Sequence, residues 1–353
     1  MTTRTQTRPI KVGNLQIGQQ NKVIIQSMTN TKTSDVDATV KQILALEKAG
    51  CQIVRLAVIT VEEAKAISKI KEQVHIPLVA DIHFDYKVAL ACAEAGIDKI
   101  RINPGNIGDD EKVKAVVKAC QSKNIPIRIG VNAGSLEKNI LAKYGKPSPE
   151  ALCESAMYHI GLLEKFDFND IVVSIKSSNV ENMINAYTLL DSKCNYPLHL
   201  GVTEAGTYRM GIIKSAMGIG SLLLNGIGDT IRVSLTDAPV KEIDAGFDIL
   251  RAAGHKVNGP EIISCPTCGR TRLDVAAIAN QVEAGLKGLN KNIKVAVMGC
   301  VVNGPGEARE ADIGIACGAD NAAMFKKGVK IKTYQGNFVE EFIKDIKICA
   351  EEL

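Results

Sequence analysis

Residues 76–105 read IPLVADIHFDYKVALACAEAGIDKIRINPG. Two apolar runs, IPLVADI (76–82) and KIRINPG (99–105), flank YKVALACAEAGI, whose apolar residues recur at helical spacing. Gly96 stops that helix, because glycine accepts the left-handed backbone of a helix C-cap without strain. A strand, a helix and a second strand in about 30 residues make one βαβ unit. The theme recurs along the first 240 residues. The further runs are VIIQSM (23–28), QIVRLAV (52–58), IPIRIGV (125–131), DIVVSIK (170–176), PLHLGVT (197–203) and TIRVSL (230–235). Eight such runs, each followed by a helical stretch, predict an α/β fold of the (β/α)8 TIM-barrel type. A doubly wound sheet is the competing fold. It usually carries a glycine fingerprint after its first strand, whereas SMTNTKTSDV has no G-x-G-x-x-G.

Outward from the barrel, RPIKVGNLQIGQQNK reads as a β-hairpin that plugs the barrel bottom. TDAPVKEIDAGFDILRAAG (236–254) reads as the last barrel helix, and HKVNGP as a short linker. A second unit of α+β type follows. It has a strand EIISC (261–265), a helix over about 272–289, a strand KVAVMG (294–299), a Gly-rich loop and a closing helix NFVEEFIKDIKICAEEL. The expected domains are therefore 1–255 and 260–353, in keeping with 353 residues.

Composition narrows the function classes. With 46% hydrophobic and 23% charged residues the chain is neither disordered, nor a collagen, nor a coiled-coil rod. Seven Phe, seven Tyr and no Trp leave an aliphatic core and give a base-stacking nucleic-acid binder little support. A net charge of +4 is too mild to imply a nucleic-acid or membrane partner. The start MTTRTQTRPIKVGN has no apolar secretory core, and the longest apolar run, 88–93, falls far short of the about 20 residues of a spanning helix. A cytoplasmic protein is expected. Its ten cysteines are then not disulfides. Cys51, Cys92, Cys120, Cys153 and Cys194 stand singly and read as small buried hydrophobes.

Barrel active sites lie at the C-terminal ends of the strands. Charged and polar residues gather there. Arg55 is in the second strand, and Asp81 and His83 end the third. Arg101 and Asn103 share one face of the fourth, Arg128 and Asn132 of the fifth, and Ser174, Lys176 and Ser178 of the sixth. Glu204 ends the seventh, and Arg232 and Ser234 end the eighth. Any one of these arginines alone reads as a rim salt bridge. Five cations from five strands, against Asp81 and Glu204, leave a positive surplus that two phosphates would neutralise. The turns NPGNIG (103–108) and GVNAGS (130–135) offer backbone N–H groups to anions, although plain turns use the same residues.

In the second unit Cys265-Pro-Thr-Cys268 is followed by Cys300. A zinc knuckle would need a fourth ligand, for which Cys317 stands without a paired C-x-x-C. A thioredoxin-like pair would leave Cys300 unexplained. An iron–sulfur cluster uses such thiolates, and the turn over 303–306 returns Glu307 towards Cys300. A carboxylate beside three thiolates would leave one iron with an exchangeable ligand, whereas a plain solvated loop acid is the other reading of Glu307.

SCPTCGR (264–270) and GCVVNGPGE (299–307) together resemble the 4-hydroxy-3-methylbut-2-enyl diphosphate synthases, iron–sulfur enzymes of the methylerythritol phosphate route to isoprenoids. The likeness runs through IQSMTNT (25–31), ADIHFDY (80–86), RINPGNIG (101–108), RIGVNAGSLE (128–137), SIKSSN (174–179), GVTEAG (201–206) and IRVSL (231–235). The chain is similar to the compact bacterial form, with no room for a middle domain. The resemblance implies a TIM barrel, a small iron–sulfur domain, and a [4Fe-4S] cluster held by Cys265, Cys268, Cys300 and Glu307. It implies 2-C-methyl-D-erythritol 2,4-cyclodiphosphate as substrate, bound by the barrel cations. Glu307, Glu204 and Asp81 are then candidate catalytic residues, with His83 a weaker one. It implies flavodoxin or ferredoxin as electron donor, and a head-to-tail homodimer with sites completed in trans. The about six residues of HKVNGP reach at most about 20 Å, which makes capping the chain's own barrel a strain. A radical S-adenosylmethionine barrel is disfavoured, since the first 50 residues hold no cysteine. A zinc-binding phosphate barrel without redox activity is the remaining alternative.

Overall fold

The computed structural model describes residues 4–300, 306 and 308–353. They form two compact units, Met1–Gly254 and His255–Leu353. No helix among the described residues is long and apolar enough to cross a membrane.

In the first unit a hairpin of β1 (Ile10–Val12) and β2 (Leu15–Ile17) precedes the barrel. The barrel strands are β3 (Ile24–Met28), β4 (Ile53–Ala57), β5 (Leu78–Asp81), β6 (Lys99–Ile102), β7 (Ile127–Asn132), β8 (Ile171–Lys176), β9 (His199–Leu200) and β10 (Thr230–Ile231). They pair in parallel in the order β8-β7-β6-β5-β4-β3-β10-β9. All eight expected runs are strands. The connecting helices follow their caps. Tyr86–Glu94 opens at Asp85, whose side chain accepts from the Lys87 N–H, and buries Val88, Ala89, Cys92 and Ala93. Gly96 follows at φ 80°, the left-handed stop expected there. The hairpin closes the barrel floor, as expected from the sequence. Ile10, Val12 and Ile17 pack on Ile24, Ile53, Val79 and Val172, which lie at the starts of four strands.

The ring closes weakly between β8 and β9, through one isolated bridge from Val173 to Leu198. Tyr187, on the helix Val180–Asp191, supplies what the short β9 cannot. Its hydroxyl accepts from the Ile175 N–H at 2.9 Å and donates to the His199 carbonyl. A buried phenol thus stands in for a ladder hydrogen bond.

The second unit is a five-stranded sheet in the order β11 (Pro260–Ser264), β12 (Ile293–Met298), β13 (Ile313–Cys317), β14 (Asn321–Lys326) and β15 (Val329–Gln335). The first three run parallel and the last pairs are antiparallel. Helices Val275–Gly285 and Val339–Glu351 pack on it around Val282, Val295, Val297, Ile315, Phe342 and Ile346. The sequence reading found β11, β12 and both helices, though the first helix is shorter than 272–289. It missed β13 to β15. The β14–β15 turn is Lys327-Gly328, with both φ values positive at 48° and 81°. That is a mirror-image hairpin turn, but its first residue is an atypical lysine.

Tyr187→Phe should leave the buried Ile175 N–H and His199 carbonyl unpaired. The expected cost is about 1–3 kcal/mol, read from the denaturant midpoint of the barrel transition. An unchanged midpoint would show that the bridge alone holds the seam.

Candidate active site

Alternate residues of each barrel strand point inward, so period two decides which side chains meet. Arg55, Lys99, Arg101, Arg128 and Lys176 are all buried, on β4, β6, β7 and β8. Arg232, just beyond β10, is half-buried. Two carboxylates answer these six cations. Asp81 ends β5 and lies 3.1 Å from Arg101 Nη1 and 3.8 Å from Arg55 Nε. Glu242, buried on the helix Pro239–Ala252, reaches Arg232 at 3.4 Å and accepts from Ser27 Oγ at 2.9 Å.

The remaining donors are poorly satisfied. Arg55 directs Nε and Nη2 at the Met28 thioether, 3.0 and 2.8 Å away, a weak acceptor. Arg128 is 0% exposed, and its three guanidinium nitrogens have no partner among the described residues. Lys99 Nζ, His199 Nε2 and the Gln26 amide are buried and unpartnered alike. Burial pulls Lys99, Arg128 and Lys176 well below their ordinary pKa values, and neighbouring cations add to the shift. Arg55 falls to about 10 for the same first reason, although Asp81 opposes it. Burial would raise Asp81, but Arg55, Arg101 and Arg128 outweigh it and hold the carboxyl at about 2. Burial, and then the neighbouring cations, push His199 well below its ordinary pKa, and its Nδ1 lies 2.7 Å from Thr230 Oγ1.

At the mouth, Ile82, His83, Phe84, Arg101, Asn103, Asn106, Gly130, Asn132 and Ser135 line a pocket of about 190 Å³. His83 Nε2 is 3.5 Å from Arg101. Asn132 satisfies its amide when Oδ1 accepts from Arg101 Nη2 at 3.2 Å. Asn103 caps the short helix Pro104–Ile107, accepting from the Gly105 N–H. Gly130 is required here, since a Cβ would lie 2.2 Å from Arg101 Nε.

The structure therefore brings together Arg55, Asp81, Arg101, Arg128, Lys176 and Arg232, with His83, Asn103 and Asn132 at the mouth. Ser234 is half-buried beyond β10. Ser178 and Glu204 are exposed on the loops beyond β8 and β9, Glu204 in left-handed backbone at φ 51°. The carboxylate that meets Arg232 is thus Glu242 rather than Glu204, because a helix side chain reaches under the mouth. Sequence reasoning missed Lys99 and His199 as well. Lys99 shares its parity with Arg101 and was legible from period two.

In the second unit Cys265 and Cys300 are half-buried just past the ends of adjacent parallel strands β11 and β12, and Cys268 is exposed. The Gly299 N–H donates to Cys265 Sγ at 3.1 Å. A Cβ on Gly299 would lie 3.3 Å from that sulfur. Soft sulfur donors at neighbouring strand ends, one already receiving an amide, fit an iron–sulfur group. Among the described residues no three His, Cys, Asp or Glu side chains converge closely enough to hold a metal ion. Glu307 lies outside the described residues. Cys317 is buried in β13 with its thiol pushed up to about 11 by burial. Of the five single cysteines, Cys51, Cys92, Cys120 and Cys153 are buried and Cys194 partly so.

Residues 7–247 match the GcpE TIM-barrel domain and residues 261–348 the GcpE protein C-terminal domain. The chain belongs to the GcpE family. Its relatives include a protein of Clostridium perfringens, 61% identical over 345 residues, covering 98% of this chain and 99% of that one. One of Fusobacterium nucleatum is 61% identical over 341 residues, covering 96% of each. One of Bacillus mycoides is 55% identical, covering 100% of this chain and 97% of that one. All three are named 4-hydroxy-3-methylbut-2-en-1-yl diphosphate synthase (flavodoxin). The barrel of this GcpE-family chain is also similar in fold to a Thermotoga maritima phospho-2-dehydro-3-deoxyheptonate aldolase. The TM-score is 0.52 and the identity 12%, over 72% of this chain and 76% of that one. A Xanthomonas albilineans dihydropteroate synthase gives a TM-score of 0.50 at 15% identity, over 70% and 98%.

Asp81→Asn should cost about 3–5 kcal/mol at neutral pH, since Arg55 and Arg101 lose their carboxylate. Pyrophosphate should restore part of that loss. The folded pKa of Asp81 lies below its unfolded value of 3.8, so its contribution is present above about pH 4 and lost as pH falls through about 2. This acid-dependent part, about 2 kcal/mol, should be missing from the variant's denaturant curves.

Proposed function

We propose that this chain catalyses the reductive ring opening of 2-C-methyl-D-erythritol 2,4-cyclodiphosphate to (E)-4-hydroxy-3-methylbut-2-enyl diphosphate. Two electrons are taken up and the C3 hydroxyl leaves as water. The observation that carries this reading is the buried, under-paired cation array, which lacks the negative charge that a diphosphate brings. The names of relatives 55–61% identical over nearly the whole chain support it.

Arg55, Arg101, Lys176 and Arg232 hold the diphosphate, and Arg128 adds charge from the fully buried layer beneath. Asn103, Asn132, Ser178 and Ser234 supply hydrogen bonds at the rim. Asp81 stays ionised and orients substrate hydroxyls, and Glu204 moves a proton from its exposed loop. Cys265, Cys268, Cys300 and Glu307 would hold a [4Fe-4S] cluster, which when bound supplies single-electron transfer and a Lewis-acidic iron. Flavodoxin is the donor that the relatives' names carry, and ferredoxin is the other carrier of this chemistry. We place the activity in the cytoplasm, where thiols stay reduced.

The working form is a homodimer in which each cluster domain caps the partner's barrel. The short HKVNGP linker supports this, as do two exposed apolar side chains on the mouth loops, Ile59 and Phe84, at 73% and 72% exposure. Met210, Ile213, Met217 and Leu224 form an exposed apolar stripe on the helix Tyr208–Leu224, suited to a two-fold contact.

Anaerobic protein with a strong one-electron donor should convert the cyclodiphosphate. Stoichiometric zinc with no iron or sulfide would sink the reading in favour of a non-redox module. Cys265→Ser, Cys268→Ser or Cys300→Ser should each abolish stable iron and sulfide incorporation. Mixing inactive Cys300→Ser and Arg128→Met chains should restore activity through heterodimers. Verified exchange without activity would place both halves of the site in one chain.

A further inference from the structure

Behind the mouth pocket lies a histidine–carboxylate contact that the proposed chemistry does not use. His159, on the helix Pro149–Glu164, has a fully buried side chain, and its Nε2 lies 2.5 Å from Glu137 Oε1. Burial pushes Glu137 up, but its contacts, chiefly the hydrogen bond with His159, outweigh this and bring the carboxyl below its ordinary value. Glu137 stands between the turn Ala133–Ser135, into which β7 runs, and the helix Lys138–Tyr144. The same imidazole lies against the other Gly-rich turn. A Cβ on Gly105 would come within 2.8 Å of His159 Cε1, so only glycine lets the ring seat there.

One side chain thus holds one turn by a nitrogen and supports the other by a ring edge. Both turns line the mouth pocket, through Asn103 and Asn106 on one side and Asn132 and Ser135 on the other. Burying a histidine and a carboxylate costs more than burying two aliphatic chains of similar size. The gain is fixed geometry. Turns held in place before binding do not have to be ordered by the ligand, which raises its affinity.

We propose that Glu137 and His159 act as a brace that fixes the two Gly-rich turns at the width a phosphate group requires. They are positioning residues for ligand capture, and this rests on the reading that the mouth pocket takes a diphosphate. Neither residue was singled out from the sequence.

The test uses the full-length chain with its metal content matched. Binding of the cyclodiphosphate and of inorganic pyrophosphate is measured by calorimetry, and turnover is measured in parallel. His159→Phe keeps a ring but loses the nitrogen. It should weaken binding and raise KM about tenfold, or about 1.4 kcal/mol, with kcat little changed. His159→Gln returns a donor towards Glu137 and should recover to within about threefold. Glu137→Leu should match His159→Phe, and the double variant should lose no more than either alone, because they remove one interaction. Leu163→Ala, buried on the same helix, controls for general destabilisation. The brace is overturned by wild-type affinity in His159→Phe, by His159→Gln binding as weakly as His159→Phe, or by an equal affinity loss in Leu163→Ala. It is also overturned by a loss confined to kcat. If the unaltered chain binds neither probe, the diphosphate reading falls and the brace falls with it. If His159→Phe fails to fold, Glu137→Gln keeps the shape of the pair without the charge and should weaken binding; unchanged binding there overturns the brace.

Discussion

Positive charge buried without enough carboxylate to match it is the constraint on which this barrel depends. Most barrels fill their interior with branched aliphatic layers. Here the interior holds Lys99, Arg128 and His199 together with Arg55, Asp81 and Arg101. Ile10, Val12 and Ile17 seal the floor with apolar side chains. The details around the mouth follow. Asp81 is shared between two guanidinium groups because no second carboxylate stands beside it. Gly130 is bare because Arg101 lies across it. Glu242 comes in from a helix because the strands offer no further acid. An anion that binds only the folded barrel adds to its stability, so folding and ligand capture are linked in such an interior.

The same topological rule places chemistry in both units. In parallel sheets the loops beyond the carboxyl ends are where side chains from separate strands converge. The barrel gathers its polar groups there, and the smaller sheet sets Cys265 and Cys300 just past β11 and β12, which are parallel neighbours. The antiparallel β13–β15 portion carries no such set and serves as the wall on which Phe342 and Ile346 pack.

Much of this was legible in the sequence, for identifiable reasons. The barrel strands are buried on both faces, so they read as continuous apolar runs, and period two then selected Arg55, Asp81, Arg101, Arg128 and Lys176 correctly as inward. The period gives parity but not where a strand ends. Ser178 shares parity with Lys176 yet stands exposed, because β8 stops at Lys176. Glu242 left no signal, since a lone acid on an amphipathic helix looks like a solvated one. The pair of Glu137 and His159 was hidden for a different reason. Its partners are 22 residues apart on separate elements, and only packing brings them together. β14 escaped because NAAMFK carries small residues rather than β-branched ones, whereas β13, with Ile313 and Ile315, and β15, VKIKTYQ, carried a legible strand signal that the reading passed over.

The phenol of Tyr187 has a consequence for motion within the ring. Seven of the eight strand junctions are zipped by ladder pairing, whereas β8 and β9 are buttoned at one bridge and one hydroxyl, with a single long amide contact from Thr203 to the Ser177 carbonyl beyond the strand ends. A ladder opens amide by amide, but a button opens when a single rotamer turns. Amide hydrogens on either side of this junction therefore exchange with solvent through a small local event rather than through unfolding of the barrel. Lys176 ends one of the two strands and Arg232 follows the neighbour of the other. The softest line in the ring thus runs up to the cations at the mouth, and the barrel can breathe there without losing its floor.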